Sequence, residues 1–335
     1  MTLGEAVAIA HPNVALSKYW GKREGGGNFP AVPSLSVTLA GLTTRTRVRW
    51  RHDVAHDRVV LNGRTVGRDE APRVFFVIDR VRRKLGLDAT ADVETGNDFP
   101  TASGLASSAS GFAALALASV RAAGAEWDGE QVSDLARRGS ASAARSVFGG
   151  FVELDAGPAA ARVEDTLSAR CVAPVGHLPL TVLVCVTAEG AKEIGSTEGM
   201  QATMSRSPYA SAWLELAPRL HARIKEALLA RDFLRVGELA ERSALAMHAC
   251  AIAAGVTYWN AGTLDTIAAV KELRRGGMAA YFTIDAGPHV KVLVTPTDAA
   301  AARAALERVA GVRRIIPAAV GEGARVDDAS PGVVA

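Results

Sequence analysis

The chain has 335 residues, about twice the roughly 150 residues of a typical domain, which predicts two domains or one large two-lobed α/β unit. Hydrophobic residues make up 49% of the chain and charged residues 22%, a composition that excludes a disordered, collagen-like or disulfide-stapled protein. The net charge is only +3 and just seven of the 38 basic residues are lysines, so a nucleic-acid-binding patch is not indicated.

The densest group of basic residues alternates along the chain and predicts one solvated face of a strand: Arg45, Arg47, Arg49 and Arg51. No run of 18 apolar residues and no signal-like segment occurs, which favours a cytoplasmic protein without a membrane partner. The cysteines lack C-x-x-C and Cys/His spacing, so we expect three reduced packing thiols, Cys171, Cys185 and Cys250, and no metal site at His248 and Cys250.

The N-terminal half reads mainly as strands. A strand VAIA opens the chain, and residues 35–50 alternate apolar and polar side chains, which predicts one long strand bent at Gly41. Strand RVVLNG follows, then a helix that starts behind Pro72 and stops at Gly86. Strand ADVETG leads into a segment rich in small residues and then an apolar helix through Ala123.

The C-terminal half is richer in helices. FVEL and TVLVCVT read as buried strands, and two long helices fill residues 208–252 with a break near Asp232. A helix from Thr263 to Arg275, strands AYFTID and VKVLVT, a helix over 298–309 and strand RRIIP complete the pattern. The order predicts an α+β protein with an N-terminal domain over 1–180, a C-terminal domain over 181–325 and a tail over 326–335.

The strongest chemical signal is NDFPTASGLASSASG, residues 97–111, between a strand and an apolar helix. Gly104 allows close approach of a ligand, Ser107 and Ser108 offer hydroxyls, and the helix N-terminus favours an anion. The segment is not a Walker loop, a dinucleotide fingerprint or a hydrolase elbow. A helix of small residues packed tightly on a sheet is the ordinary alternative for the same pattern.

Three further segments carry polar groups that fit a phosphorylated substrate. Lys18 and Lys22 lie four residues apart, although surface lysines on a turn are the ordinary explanation. Arg145 stands in a run of small residues where a carboxylate or phosphate partner is expected. Asp285 ends an apolar strand, where the ordinary reading is a turn former and the functional one is a buried base or charge orienter.

Together these segments resemble the GHMP kinase superfamily and, within it, the mevalonate diphosphate decarboxylase family. The resemblance spans residues 11–288 in the family's order and rests on the phosphate loop Pro100–Ala109 and on five further motifs: 13–22 (NVALSKYWGK), 34–39 (SLSVTL), 139–146 (GSASAARS), 195–200 (GSTEGM) and 285–288 (DAGP). It implies a two-lobed GHMP kinase fold, with a ribosomal protein S5 domain 2-like N-terminal domain, a ferredoxin-like helical C-terminal domain and the active site in the cleft.

The resemblance also implies a reaction and its residues. The family phosphorylates the 3-hydroxyl of (R)-mevalonate 5-diphosphate with ATP and Mg²⁺ and releases isopentenyl diphosphate, ADP, phosphate and CO₂, in the mevalonate pathway of isoprenoid biosynthesis. By resemblance, Asp285, Arg145 and Lys18 are catalytic: Asp285 acts as base or orienter at the 3-hydroxyl, and Arg145 fixes the substrate carboxylate and keeps Asp285 ionised. A homodimer is expected from the family alone.

The same comparison implies binding residues for substrate and nucleotide. Substrate contacts fall on Asn13, Tyr19, Lys22, Ser140, Ala141, Ser142, Arg145 and Ser196. The ATP phosphates fall on Pro100, Ser103, Gly104, Leu105, Ala106, Ser107 and Ser108. Either Ser107 or Ser108 is the expected magnesium ligand, and the sequence does not choose between them.

Four residues in three segments depart from the family pattern and leave alternatives open. Val32-Pro33 precedes Ser34 where many relatives have Asn-Ser, Ser17 replaces an aliphatic residue, and Ala141 replaces a glycine. A related enzyme could decarboxylate mevalonate 5-phosphate or only phosphorylate the 3-hydroxyl of mevalonate. Lys18, Tyr19 and Lys22 favour a diphosphate. A ligand-binding sensor without catalysis is the alternative from a different class, disfavoured because the catalytic residues are intact.

Overall fold

A computed structural model describes residues 3–99, 107–190 and 193–327. Within these ranges the strands are β1 (Glu5–Ala10), β2 (Asn13–Ser17), β3 (Ser34–Thr38), β4 (Thr44–Arg51), β5 (Arg58–Leu61), β6 (Arg64–Val66), β7 (Thr90–Asn97), β8 (Phe151–Leu154), β9 (Arg170–Ala173), β10 (Thr181–Val186), β11 (Tyr281–Ile284), β12 (Val290–Val294), β13 (Arg314–Ala319) and β14 (Arg325–Val326). The helices are α1 (Pro72–Leu85), α2 (Ser107–Ala122), α3 (Gly129–Gly139), α4 (Ala143–Ser146), α5 (Ser196–Arg206), α6 (Ala210–Leu229), α7 (Phe233–Ile252), α8 (Ala261–Arg275) and α9 (Ala299–Leu306).

The first sheet has the order β14-β1-β4-β7-β5-β6 and is covered by α1 and α2. The apolar positions of β4 face this core, while its alternating arginines lie half-buried on the other face and pair with acidic residues of neighbouring strands such as Glu5 and Glu94. The predicted solvated strand face is therefore confirmed. Helix α1 begins at Pro72 and ends at Gly86, which adopts φ +63°, a left-handed conformation that glycine accepts without strain.

The prediction of one long strand bent at Gly41 is wrong. Residues 34–51 form two strands, β3 and β4, which belong to different sheets. Gly41 adopts φ +80° in the turn between them, and the buried Leu39 and Leu42 flank it. Alternation of apolar and polar residues looks the same on both strands, so the pattern alone could not show that the chain changes sheets.

The second sheet, β2-β3-β8-β9, and the third, β11-β12-β10-β13, share one apolar core. Side chains of β2 and β3 pack in the same cluster as those of β10 and the helices α6 and α7. This contact runs across the predicted boundary at residue 180. It brings the C-terminal end of β2 beside α7 and β11, where Thr283 donates to the carbonyl of Ala15 at 3.2 Å.

The predicted helix pair over 208–252 is confirmed as α6 and α7, with Asp232 capping the first turn of α7 through the amide of Arg235. All three cysteines are free, but Cys171 is exposed on the edge strand β9, so the prediction of a packing thiol is wrong there. In the part of the chain that the structure describes, no helix combines the length and apolar character needed to cross a bilayer.

Candidate active site

Two charged side chains from different lobes meet at the ends of β2 and β11. Lys18 follows β2 and is 2% exposed, and its Nζ donates to Oδ1 of Asp285 at 2.6 Å. Asp285 follows the buried strand β11 and keeps a quarter of its side chain open to the cleft. Nζ of Lys291, in β12, lies 3.5 Å from Oδ2 of the same carboxylate. Asp285 is thus held between two lysines.

These charges set the protonation states in the cleft. Burial alone would raise the pKa of Asp285, but Lys18 and Lys291 outweigh it and hold that pKa well below its usual range. Burial lowers the pKa of Lys18 to about 8, against the opposing effect of Asp285. Asp285 is therefore a carboxylate at neutral pH, better suited to stabilising positive charge than to taking up a proton.

Lys18 and Lys291 are the main charges that lower the Asp285 pKa. Arg145, to which the resemblance assigned that role, also interacts electrostatically with Asp285. Spacing in the sequence could not reveal Lys291, which stands in the apolar strand VKVLV. The one available signal was its rarity, since a lysine inside a buried strand needs a charged partner.

Arg145 lies in the short helix α4 and is 2% exposed. Its guanidinium donates to three neutral oxygens: Ser36 Oγ at 3.0 Å, Ser34 Oγ at 2.6 Å and Asn13 Oδ1 at 3.3 Å. Across residues 3–99, 107–190 and 193–327, no acidic side chain forms an ion pair with it. Burial lowers the Arg145 pKa to about 10, and the group still carries its charge at neutral pH. That charge remains available to an anionic ligand.

Tyr19 and Lys22 follow Lys18 in the segment after β2. Nζ of Lys22 donates to Asn28 Oδ1 at 2.8 Å and to Thr197 Oγ1 at 3.0 Å, and burial lowers its pKa to about 8. The hydroxyl of Tyr19 is buried and has no hydrogen-bond partner within the described residues. Burial also raises the Tyr19 pKa above its usual value, so the group is a phenol and a hydrogen-bond donor.

The remaining predicted substrate residues surround this region. Asn13 Nδ2 donates to the carbonyl of Ser142 at 3.0 Å, and the hydroxyls of Ser140 and Ser142 lie 3.2 Å apart before α4. Ala141 between them is buried, and Ser196 opens α5. Two neighbours that the sequence reasoning did not assign are Asn28 and Thr197, the partners of Lys22. Thr197 belongs to the motif over 195–200, whereas Asn28 lies in a loop without a local signal.

Most of the predicted phosphate loop lies outside the described residues: Pro100, Ser103, Gly104, Leu105 and Ala106. Ser107 and Ser108 form the first turn of α2, where backbone N–H groups and the positive end of the helix dipole favour an anion. A cavity of about 230 Å³ adjoins this turn, between the start of α1 and the strands β5 and β7. Its walls combine apolar side chains with a few polar ones, as in a nucleotide-base pocket.

The donor set at this helix fits Mg²⁺. Hydroxyl oxygens are hard ligands, and Mg²⁺ is commonly held by one or two protein oxygens together with phosphate oxygens and water. Ser107 is half-buried and Ser108 exposed, and both open the helix at the edge of the cavity. No group of three or more His, Cys, Asp or Glu side chains suitable for a metal occurs in the described ranges.

Comparisons with known proteins bear on the whole chain. The family model described as diphosphomevalonate decarboxylase-like N-terminal domain matches residues 10–167, and the model described as mevalonate 5-diphosphate decarboxylase C-terminal domain matches residues 182–326. A diphosphomevalonate decarboxylase of Rattus norvegicus is 36% identical over 92% of this chain and 79% of its own length.

Two further matches are informative. A phosphomevalonate decarboxylase of Haloferax volcanii is 35% identical over 87% of this chain and 88% of its own length. A solved structure described as MDDEF in complex with MVAPP, AMPPCP and magnesium is 36% identical, with a TM-score of 0.89 over 97% of this chain and 99% of that one. The TM-score shows that the two chains have nearly the same fold.

Proposed function

The chain belongs to the diphosphomevalonate decarboxylase family, and from that premise we propose that it converts (R)-mevalonate 5-diphosphate and ATP to isopentenyl diphosphate, ADP, phosphate and CO₂. Its fold is the two-lobed GHMP kinase fold predicted above. The observation that carries the residue assignment is the Lys18–Asp285 pair beside a buried Arg145, formed by residues of both matched domains.

The reaction needs an environment that tolerates positive charge on carbon. The 3-hydroxyl oxygen forms a bond to the γ-phosphorus of ATP, the bond from that phosphorus to ADP breaks, and the hydroxyl proton passes to a phosphate oxygen or to solvent. The C3–O bond then breaks and phosphate departs, while the electrons of the bond between C2 and the carboxyl carbon form the C2–C3 double bond and CO₂ leaves. The ionised Asp285, preorganised by Lys18 and Lys291, stabilises the charge that develops at C3.

Arg145 is positioned for the departing carboxylate. Its three neutral partners fix the plane of the guanidinium without cancelling its charge, so a substrate carboxylate gains a strong ion pair in a buried site. The carboxylate becomes neutral CO₂, and this ion pair weakens as the C–C bond breaks. Loss of phosphate from C3, the carbon next to the one that bears the carboxylate, drives the step.

The substrate phosphates fit the half-buried polar region around Lys22. Among the described residues, Lys22 is held by neutral oxygens of Asn28 and Thr197, which a phosphate can replace or join. The Tyr19 hydroxyl finds no acceptor in the same part of the chain, and a phosphate oxygen would supply one. The serines before α4 and Ser196 complete the proposed subsite.

ATP binding in this family is shown by a relative solved with AMPPCP and magnesium. In this chain we assign the ATP phosphates to the first turn of α2, with the hydroxyls of Ser107 and Ser108 toward the metal, and the base to the adjoining cavity. Bound Mg²⁺ supplies neutralisation of the transferring phosphoryl group. The homodimer expected from the resemblance is part of the same proposal.

One relative gives a specific reason to test a second substrate. The Haloferax volcanii protein is named a phosphomevalonate decarboxylase, and its 35% identity to this chain is close to the 36% of the Rattus norvegicus diphosphomevalonate decarboxylase. Identity alone therefore does not select the substrate. Lys22 and the unsatisfied Tyr19 hydroxyl favour the diphosphate, because two phosphate groups use more donors than one.

The deciding experiment supplies purified protein with Mg-ATP and, in separate reactions, mevalonate 5-diphosphate, mevalonate 5-phosphate and mevalonate. Products are identified by mass spectrometry and ADP is counted against CO₂. We expect isopentenyl diphosphate at one ADP per CO₂, with the diphosphate at least tenfold better in kcat/KM. Isopentenyl phosphate as the preferred product would select the second substrate, ADP without CO₂ would indicate a kinase, and no turnover of any of them would refute an enzymatic role.

A further inference from the structure

Three side chains far apart in the sequence form a continuous hydrogen-bonded chain behind Lys18. Ser17 Oγ and His221 Nδ1 lie 2.9 Å apart, and His221 Nε2 and Glu153 Oε1 lie 2.6 Å apart. Ser17 and Glu153 are in β2 and β8 of the second sheet, and His221 is in α6. All three are less than 9% exposed. The chain thus links the two domains matched by the family models.

The hydroxyl of Ser17 accepts a hydrogen bond where a β-bulge interrupts the pairing of β2 with β3. The register of β2 on β3 shifts between Ala15 and Ser17, which leaves Leu16 as the extra residue of a β-bulge. The amide of Leu35 opposite the bulge donates to Ser17 Oγ at 2.7 Å. An aliphatic side chain at position 17, which the family resemblance would supply, has no acceptor for this buried amide.

The same bulge aims Lys18. It turns the carbonyl of Ala15 toward Lys18 Nζ, which donates to it at 2.8 Å, while the Lys18 amide donates to Ser243 Oγ of α7 at 3.0 Å. Two contacts besides the one with Asp285 therefore fix Lys18, one at its backbone amide and one at Nζ. A shift of the bulge by a fraction of an ångström would move Nζ from the carboxylate.

Glu153 anchors the far end of the chain. Burial would raise its pKa, but His221, Lys225 and Arg170 outweigh that effect and lower the Glu153 pKa to about 2. With Nε2–H of His221 donating to Glu153, Nδ1 accepts the Ser17 hydroxyl proton, and the Ser17 oxygen is left to accept the Leu35 amide. Every group in the chain is then satisfied.

A serine, a histidine and a carboxylate in sequence also suggest a hydrolytic nucleophile. Two observations exclude that function here. Ser17 is 1% exposed, and its oxygen already accepts the Leu35 amide, so no substrate carbonyl can reach it. The network instead acts on the residue next to it.

We propose that Ser17, His221 and Glu153 are positioning residues that hold the β2 bulge and aim Lys18 at Asp285. The inference rests on the proposed function, because it holds that the three residues affect catalysis by positioning Lys18 beside Asp285. None of the three is among the residues assigned above to the substrate or the nucleotide. They act through the position of Lys18. Ser17 connects this hydrogen-bonded relay of Ser17, His221 and Glu153 to the bulge.

The test compares Ser17→Thr with Ser17→Val, which have the same size and differ in the hydroxyl. We expect Ser17→Val to lower kcat about tenfold relative to Ser17→Thr, with KM for ATP within twofold. Glu153→Gln keeps the shape of the side chain and should reproduce most of the decrease in kcat expected for Ser17→Val. Thr266→Val, which removes a buried hydroxyl bonded only to the carbonyl of Gly262 in its own helix, is the control and should leave kcat unchanged.

A second readout needs no turnover. Limited acetylation with acetic anhydride, followed by mass spectrometry, measures the reactivity of Lys18 against Lys22 in the same sample. Lys18 is 2% exposed and paired, so its relative labelling should rise at least threefold in Ser17→Val and stay at the wild-type ratio in Ser17→Thr. Circular dichroism confirms that each variant is folded.

The outcomes separate the two proposals. Equal kcat in the Thr and Val variants overturns the positioning role, and so does a lower kcat in Ser17→Val with unchanged Lys18 labelling. If neither variant folds, Glu153→Gln decides by the same two measurements. Wild-type protein without turnover refutes the proposed function alone, because the labelling ratios still report whether the relay holds Lys18.

Discussion

The cluster around Asp285 and the cluster around Lys22 are built from similar groups but paired in opposite ways. Asp285 contacts two buried lysines, so its charge is compensated before any ligand arrives. Lys22 contacts only neutral oxygens, and the nearby Tyr19 hydroxyl has no partner within the described residues. The first arrangement fixes geometry for chemistry, whereas the second leaves positive charge and a donor for binding.

The largest expected effect breaks the reacting cluster. Asp285→Asn keeps the size of the side chain and an oxygen that can accept from Lys18. It removes the negative charge that stabilises the positive charge developing at C3. We expect kcat to fall by about 10³-fold or more, while the Kd for a non-hydrolysable ATP analogue, measured by calorimetry, changes less than twofold. An equal loss of nucleotide binding would mean that Asp285 is structural.

An intermediate effect is expected in the binding cluster. Lys22→Met keeps the length of the side chain and removes its charge, so KM for the phosphorylated substrate should rise about tenfold with kcat within threefold. The Lys22 pKa is about 8 and its charged form binds the anion, so the wild-type KM should also rise above pH 8 and that of Lys22→Met should not. A fall in kcat at constant KM would place Lys22 with the reacting groups. The exposed Lys271→Met serves as the control.

The smallest effect concerns the pH profile of the reacting cluster. Charged Lys291 disfavours the charged form of Lys18, so Lys291→Met should raise the Lys18 pKa above about 8. Activity that requires charged Lys18 is lost as pH rises through that pKa, and the alkaline limb of kcat, measured at saturating substrate so that Lys22 binding does not enter, should therefore move upward by about half a unit. An unchanged limb, with Lys271→Met as reference, would show that Lys18 does not set it.

Local signals in the sequence were sufficient for much of the architecture. Pro72 and Gly86 bound α1, Asp232 separates α6 from α7, and Arg145 among small residues marked a charge in need of an anion. Contacts between distant residues had no such signal. Ser17 and His221 are 204 positions apart. Lys291 is a single lysine in the otherwise apolar strand VKVLV, and nothing near it in the sequence points to Asp285 as its partner. The phosphate loop remains a prediction, as do the domain boundaries and the assigned roles.

The second and third sheets share one core, which contains residues from both sides of the predicted boundary at residue 180. We therefore expect the two sides to fold together. Side chains of β2, β3, β10, α6 and α7 bury one another, so a fragment ending near that point would present a large apolar face to water. The two lobes should melt in a single cooperative transition. An exchange of one lobe for that of a distant relative would have to carry the matching half of this core with it.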